Sequence, residues 1–218
     1  MRVIIAAAGG DKAWNGHLDV PRHMVPVGGE PLLQRTIRQA VTYTEDVHVT
    51  TPDDDRYRVV GAYRHVREPG ASEYASTRDL WSEDGRTVLL LGDVYFTDRA
   101  ISTICGDRRR SFRAYGRRGA SHLTGTPYGE LFAASWWPEH HEQMDRRLAT
   151  VHAARSAGAV TRPPGWMLLR AWQGTPLDRH IVKRSRYFVT IDDLTDDIDT
   201  AADYARHPAF GGSNGHAG

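Results

Sequence analysis

The run Thr87-Val88-Leu89-Leu90-Leu91 constrains this chain more than any other stretch. Five uncharged residues in a row cannot alternate between a wet face and a dry one. Such a run suits a strand buried on both faces of a parallel sheet. A second apolar run, Val3-Ile4-Ile5-Ala6-Ala7-Ala8, opens the chain, and each run ends in glycine, at Gly9-Gly10 and at Gly92. Small residues after a buried strand let backbone N–H groups approach a phosphate or a base edge closely. In open α/β sheets, ligands sit at the carboxyl ends of strands. Both glycine turns, and Asp93 beside the second, fall at such ends.

Around these two runs the pattern alternates. Apolar residues at Leu33, Ile37, Ala40 and Val41 follow helical spacing, which predicts a helix from Pro31 to about residue 43. Proline in a first helical turn loses only an N–H that would be unpaired anyway. Further strands are expected at 46–50, 111–115, 131–134 and 187–191, and a short helix plus a strand within 57–67. Helices are expected at 73–81, 98–104 (capped near Thr97 or Asp98), 138–156, 165–172 and 201–206. Turns are expected at 116–119 and 121–129. The alternation predicts an α/β fold, a Rossmann-like and mostly parallel sheet flanked by helices. A single domain over 1–208 is expected, with an insert at about 111–164 where simple alternation breaks down. The glycine-rich end, 209–218, is expected to be a flexible tail.

Composition excludes several classes. The 28 basic and 27 acidic residues leave a formal net charge of +1. Such balance exerts no pull toward nucleic acid or an anionic membrane, so neither is expected as a partner. Arg108-Arg109-Arg110 is a local basic run, either a phosphate contact or a solvated loop after a helix. Cys105 is the only cysteine in the sequence, so no intramolecular disulfide can form. It reads as a packing residue in a reducing compartment. No apolar run approaches the ~18 residues of a membrane span. Residues 3–8 are too short for a signal-peptide core of about 7–15 residues, and a cytoplasmic location is expected.

Two places concentrate carboxylates. Asp93, at the end of a buried strand, is costly unless it meets a cation or hydrogen-bond donors. Asp192, Asp193, Asp196, Asp197, Asp199 and Asp203 lie within twelve residues. Carboxylates so crowded repel one another unless solvated or bridged by a metal. Thr200 or Asp199 could equally be a plain helix N-cap. Asp192, Asp193 and Asp196 read as solvated or structural. His140-His141 reads as surface, and Trp136-Trp137 as core or interface.

Taken together, these pieces resemble the nucleotidyltransferase family that joins an NTP to a sugar phosphate or similar acceptor. Its members read roughly Ala-Ala-Gly-x-Gly-x-Arg, then Pro-Lys, then Gly-x-Pro-Leu-Leu. The counterparts here are Ala7-Ala8-Gly9-Gly10-Asp11-Lys12, Pro21-Arg22 and Gly29-Glu30-Pro31-Leu32-Leu33. Gly92-Asp93 matches the family's central motif. Asp197-Ile198-Asp199-Thr200 with Asp203-Tyr204 matches its closing signature. Two departures stand out: the glycine loop is one residue shorter, with Lys12 near the usual arginine, and Arg22 replaces the usual lysine.

The resemblance implies the fold of nucleotide-diphospho-sugar transferases, related to the GT-A fold. It implies Mg²⁺, or Mn²⁺, held by Asp93 and Asp199. Nucleotide binding falls to Ala7, Ala8, Gly9, Gly10, Asp11 and Lys12, and to a base-facing loop at Gly70, Ala71 and Ser72. Lys12 and Arg22 become the catalytic cations. The partners are an NTP donor and a phosphorylated small-molecule acceptor, with a sugar phosphate expected and pyrophosphate released. Apart from the resemblance, Tyr115-Gly116-Arg117 and Tyr128-Gly129-Glu130 read as turns that are structural or, as the weaker reading, line an acceptor pocket within the insert. Two alternatives stay open. One is a GT-A glycosyltransferase using an NDP-sugar, although Asp93-Val94-Tyr95 lacks that class's Asp-x-Asp. The other is a catalytically inactive nucleotide-binding regulatory domain, which the short loop and Arg22 keep open.

Overall fold

The computed structural model describes residues 1–9, 13–68, 72–161, 164–178 and 186–210. In chain order its elements begin with β1 (Arg2–Ala6), the short strands β2 (Pro26–Val27) and β3 (Glu30–Pro31), and α1 (Leu32–Val41). Next come β4 (Val47–Thr51), β5 (Tyr63–Val66), α2 (Glu73–Ser76), β6 (Thr87–Leu91), β7 (Val94–Tyr95) and α3 (Asp98–Gly106). The second half holds β8 (Arg113–Arg117), β9 (Glu130–Trp136), α4 (His141–Ser156), α5 (Pro164–Gln173), β10 (Phe188–Thr190), β11 (Asp196–Asp197) and α6 (Ala201–Arg206). Seven strands form the main sheet in the order β10-β8-β9-β6-β1-β4-β5. β1 runs parallel to β4 and β6, β4 to β5, and β8 to β10. β9 runs antiparallel to both its neighbours, β6 and β8. The sheet is thus mostly parallel and flanked by helices, as the alternation predicts.

The apolar runs occupy the centre of this sheet for the reason their composition suggests. On one face, Val88 and Leu90 join Val3, Ile5, Leu33 and Ile37, together with Ile101 and Ile104 of α3. On the other, Leu89 joins Ile4, Trp136, Met144, Leu148 and Leu168. Burying each such aliphatic side chain is worth about 1.5–3 kcal/mol. A third cluster of Trp14, Val25, Val27, Leu32, Ile198 and Phe210 ties the loop after β1 to the C-terminal segment.

Several expectations need correction. The helix expected over 73–81 is broken at Thr77, whose backbone leaves the helical region (φ −110°, ψ 8°). The Thr77 hydroxyl donates to the Glu73 carbonyl at 2.8 Å, so a side chain competes with the helical bonds there. The first long helix begins at Leu32, because Pro31 serves as its N-cap and pairs with Pro26 across β2 and β3. The short helix expected within 57–67 is absent among the described residues, whereas the strand forms. Gly116 and Arg117 belong to β8 and not to a turn. A Cβ on Gly116 would lie 2.1 Å from the Glu130 carbonyl oxygen, so only glycine fits that crossing. Pairing slips there, leaving Phe132 as the extra residue of a bulge.

His141 is buried against Trp81, with ring centroids 5.2 Å apart, and is not a surface residue. Its neighbour His140 is half-buried and faces Trp172 instead. Asp196 is fully buried. Phe210 is buried as well, although the tail was expected to begin at 209; residues 211–218 lie outside the described residues. Cys105 is buried as expected, and burial pushes its thiol up to about 11.

Candidate functional site

The carboxyl ends of β1 and β6 meet through Gly92. Its N–H donates to the Ala6 carbonyl at 2.9 Å. A Cβ at Gly92 would lie 2.7 Å from the Ala7 Cβ and 2.9 Å from the Ala6 carbonyl oxygen. The absence of a side chain therefore lets β6 end directly on the backbone of β1. Ala7 and Ala8 are buried at this junction and Gly9 is exposed. Asp93 follows Gly92 and so projects from the same edge.

Arg22 reaches this edge from the loop after β1. It opens a single 3₁₀ turn, Arg22–Met24, directly after Pro21. Its guanidinium sits against Gly9, where a Cβ would lie 3.3 Å from a terminal nitrogen. One of its nitrogens pairs with Asp93 at 3.0 Å, and another donates to Asp199. The Arg22 and Asp93 side chains are 14% and 16% exposed, and Asp199 is 51% exposed. A cation thus lies between two carboxylates that come from different parts of the chain.

β11 delivers the acidic turn. It pairs antiparallel with β7, placing Asp197 opposite Val94, and the Ile198 N–H donates to the Asp93 carbonyl at 2.9 Å. Asp196 anchors the turn from below. It accepts from Arg117 at 2.9 Å, from the Thr124 hydroxyl at 3.1 Å and from Ser121. Against the effect of burial, the Ser121 and Arg117 bonds hold its carboxyl below the usual range. Asp193 accepts from the Thr97 hydroxyl at 2.7 Å and from the Thr195 N–H at 2.8 Å. The reading of Asp193 and Asp196 as structural therefore holds, and Asp192 is exposed.

The capping alternative falls on Thr200. Its side chain accepts from the Asp203 N–H at 3.1 Å, and the Asp203 carboxylate accepts from the Thr200 N–H at 2.8 Å. This reciprocal box caps α6 and leaves the Asp199 side chain for Arg22. Burial, then the charge of Asp93, raises the Asp199 carboxyl, while Arg22 opposes the rise.

The surroundings are acidic. Burial, then Asp199, pushes Glu130 up to about 8. Asp197 is raised well above its ordinary value by burial and by Glu130, and its Oδ1 is buried without a hydrogen-bond partner. His23 is buried beside Arg22, and its Nδ1 lies 2.8 Å from the Tyr57 hydroxyl. Burial lowers it to about 4, so it stays neutral at pH 7. Sequence reasoning did not single out His23, and it placed Glu130 only in an acceptor-side turn. No local motif marks either residue, since both matter through packing.

Ser72 caps α2 by accepting from the Ala75 N–H at 3.2 Å, and its hydroxyl lies 3.1 Å from His152. Gly10, Asp11, Lys12, Gly70 and Ala71 lie outside the described residues. Asp93 and Asp199 are hard oxygen donors of the type Mg²⁺ takes. That ion usually binds one or two protein carboxylates and fills its shell with water and substrate phosphate. Among the described residues, no three His, Cys, Asp or Glu side chains group as a metal site. The unpartnered Asp197 Oδ1 and the raised carboxyls beside it mark a place short of positive charge, which a divalent cation fits.

No family model matches the sequence, and no curated protein matches it. Solved structures match the fold. A Bacillus anthracis protein assigned as a glucose-1-phosphate thymidylyltransferase, in complex with sucrose, aligns with a TM-score of 0.61 at 11% identity. The alignment covers 100% of this chain and 98% of that one. The CTP:phosphocholine cytidylyltransferase LicC of Streptococcus pneumoniae gives 0.58 at 14% identity, over 93% and 95% of the two chains. HddC of Yersinia pseudotuberculosis, complexed with GMP-PN, gives 0.55 at 11%, over 95% and 98%. No helix of the described residues is long and apolar enough to cross a membrane. The chain has the fold of the nucleotide-diphospho-sugar transferases, shared across nearly its whole length with nucleotidyltransferases of known structure.

Proposed function

We propose that this protein is a Mg²⁺-dependent nucleotidyltransferase. It transfers NMP from an NTP to a phosphorylated small-molecule acceptor, a sugar phosphate in the first instance, and releases pyrophosphate. The observation that carries this reading is the meeting of Arg22, Asp93 and Asp199 where β1 and β6 end.

An oxygen of the acceptor phosphate attacks the α-phosphorus of the NTP, and the bond from that phosphorus to the β-phosphate bridging oxygen breaks. No protein nucleophile is required, so positioning and electrostatics can supply the catalysis. The small residues Ala7, Ala8 and Gly9 leave room for the triphosphate against the backbone. The family resemblance assigns the phosphates also to Gly10, Asp11 and Lys12, of which Lys12 would supply a point charge. Arg22 offers a planar fork that grips two phosphate oxygens at once. A magnesium ion held by Asp93 and Asp199 would neutralise the triphosphate and the departing pyrophosphate. By the same resemblance, Gly70, Ala71 and Ser72 are assigned to the base. The 111–164 segment, whose β9 begins at Glu130, is assigned to the acceptor, with the Glu130 carboxyl meeting acceptor hydroxyls.

A glycosyltransferase reading is the weaker one, because the sequence after Gly92 reads Asp93-Val94-Tyr95 and lacks that class's Asp-x-Asp. A thermal-shift screen of NTPs and NDP-sugars with Mg²⁺ tests the proposal, since a ligand that binds only the folded state raises the Tm. At least one NTP is expected to raise the Tm more than any NDP-sugar. Stabilisation by NDP-sugars alone would replace this reading with the glycosyltransferase one.

A further inference from the structure

Arg22 stands where two requirements conflict. Its guanidinium contacts Asp93 and Asp199 together, the two carboxylates to which the proposed function assigns a divalent cation. It is held in place against Gly9 and is mostly buried. A second cation at that position would meet the guanidinium charge at short range. From this geometry we infer that Arg22 is the resting countercation of the Asp93–Asp199 pair, so that the divalent cation and the nucleotide bind cooperatively. The inference rests on the nucleotidyl-transfer reading, and it concerns the order in which that site is filled.

The physical reason lies in the shape of the side chain. An arginine fork spans two carboxylates, whereas a lysine ammonium is a compact point charge that satisfies one at a time. Moving Arg22 off both carboxylates with nothing in exchange strips a mostly buried charge of these ionic partners, which is costly. A triphosphate on the Gly9 loop offers the fork another pair of oxygens a short distance away. Arg22 then turns from carboxylates to phosphates, and the two carboxylates become available to the cation. Without nucleotide, the cation competes with the protein's own guanidinium and binds weakly. The coupling is reciprocal, so the cation strengthens nucleotide binding by the same factor.

Mn²⁺ titration of the full chain without nucleotide, following free Mn²⁺ by its EPR signal, tests the inference without any turnover. Arg22→Met is expected to bind Mn²⁺ about tenfold tighter than the parent protein, within the range of ordinary site coupling. Adding Asp199→Asn to that variant is expected to remove the gain. Arg22→Lys keeps the charge and loses the fork, so it is expected to show a smaller gain. Circular dichroism establishes that each variant is folded; if Arg22→Met is not, the lysine variant carries the test. Unchanged or weaker Mn²⁺ binding in Arg22→Met overturns the inference. So does an Arg22→Lys affinity equal to that of the parent, because general charge repulsion would then explain everything. A gain that survives Asp199→Asn overturns it too. Failure of the underlying reading looks different: no NTP tightens Mn²⁺ binding in any of the proteins, and Asp93→Asn leaves Mn²⁺ binding unchanged.

Discussion

Arg22 pairs with Asp93 and with Asp199 through one guanidinium, although the first carboxylate follows β6 and the second follows β11. The sheet makes this meeting. Gly92 seats the end of β6 on β1, and the β7–β11 pairing carries the C-terminal acidic turn back to the same edge.

Asp93→Asn is expected to keep the fold and lose turnover. Asparagine preserves the shape and removes the charge. The loss in kcat should be roughly a thousandfold, the several kcal/mol that a metal-held carboxylate contributes. Near-normal kcat at saturating Mg²⁺ would remove Asp93 from the metal site.

Thr200 and Asp199 are neighbours with separate tasks. Thr200→Ala removes the cap of α6 and should cost about 1 kcal/mol of stability, with divalent-cation affinity in the presence of nucleotide unchanged. Asp199→Ala should do the reverse, lowering that affinity while changing stability less. Denaturant unfolding and Mn²⁺ titration on both variants check the division. Matching defects in the two would show that the turn acts as one structural unit.

Gly92→Ala places a methyl 2.7 Å from the Ala7 Cβ and 2.9 Å from a backbone oxygen. Neither can yield without moving the end of β1. Overpacking of this kind costs about 1–3 kcal/mol. The variant should lose both Tm and nucleotide affinity, measured by thermal unfolding with and without NTP. An unchanged Tm would mean the two strand ends are not so tightly seated.

Glu130 and His23 should shape the pH dependence of stability in opposite senses. Glu130 rises from 4.5 to about 8 in the folded protein, so the folded state keeps a proton that the unfolded chain releases. Its contribution to stability is lost as pH rises through that window. His23 falls from 6.5 to about 4, so its contribution is gained as pH rises from about 4 to 6.5. Of these two groups, Glu130 alone acts between pH 6.5 and about 8, where stability should decline. Glu130→Gln should flatten the decline in a series of denaturant melts without divalent cations. A decline of the same slope in the variant would assign it to another group.

Much of the architecture was legible in the sequence because burial leaves a direct trace there. The runs at 87–91 and 3–8 are apolar because helices cover both sheet faces, and α3 and α6 are marked by Thr97 and Thr200 at their starts. The direction of β9 was not legible, since an apolar strand reads the same whether it runs parallel or antiparallel. β7 and β11 are two residues each and leave no periodicity to detect. In sequence Asp196 reads as solvated or structural, and only the closing of Arg117, Ser121 and Thr124 over it decides between the two. His141 hides for a similar reason, because the partner that buries it, Trp81, belongs to another part of the chain. At the site, family resemblance supplied Asp93 and Asp199 as a metal pair and Arg22 as a catalytic cation. That the Arg22 guanidinium joins the two carboxylates is a property of the fold alone.

Following the α-phosphate shows whether this site transfers a nucleotidyl group. The protein is incubated with Mg²⁺, each NTP labelled at the α-phosphate, and a panel of sugar 1-phosphates and other phosphorylated alcohols. Label and pyrophosphate are then followed together. One pairing is expected to move the α-phosphate label into a nucleoside diphosphate conjugate of the acceptor. Pyrophosphate should appear in equal amount, and the activity should be absent in Asp93→Asn. An NTP and an acceptor that both bind in the presence of Mg²⁺, with no label transferred and no pyrophosphate formed, would contradict it.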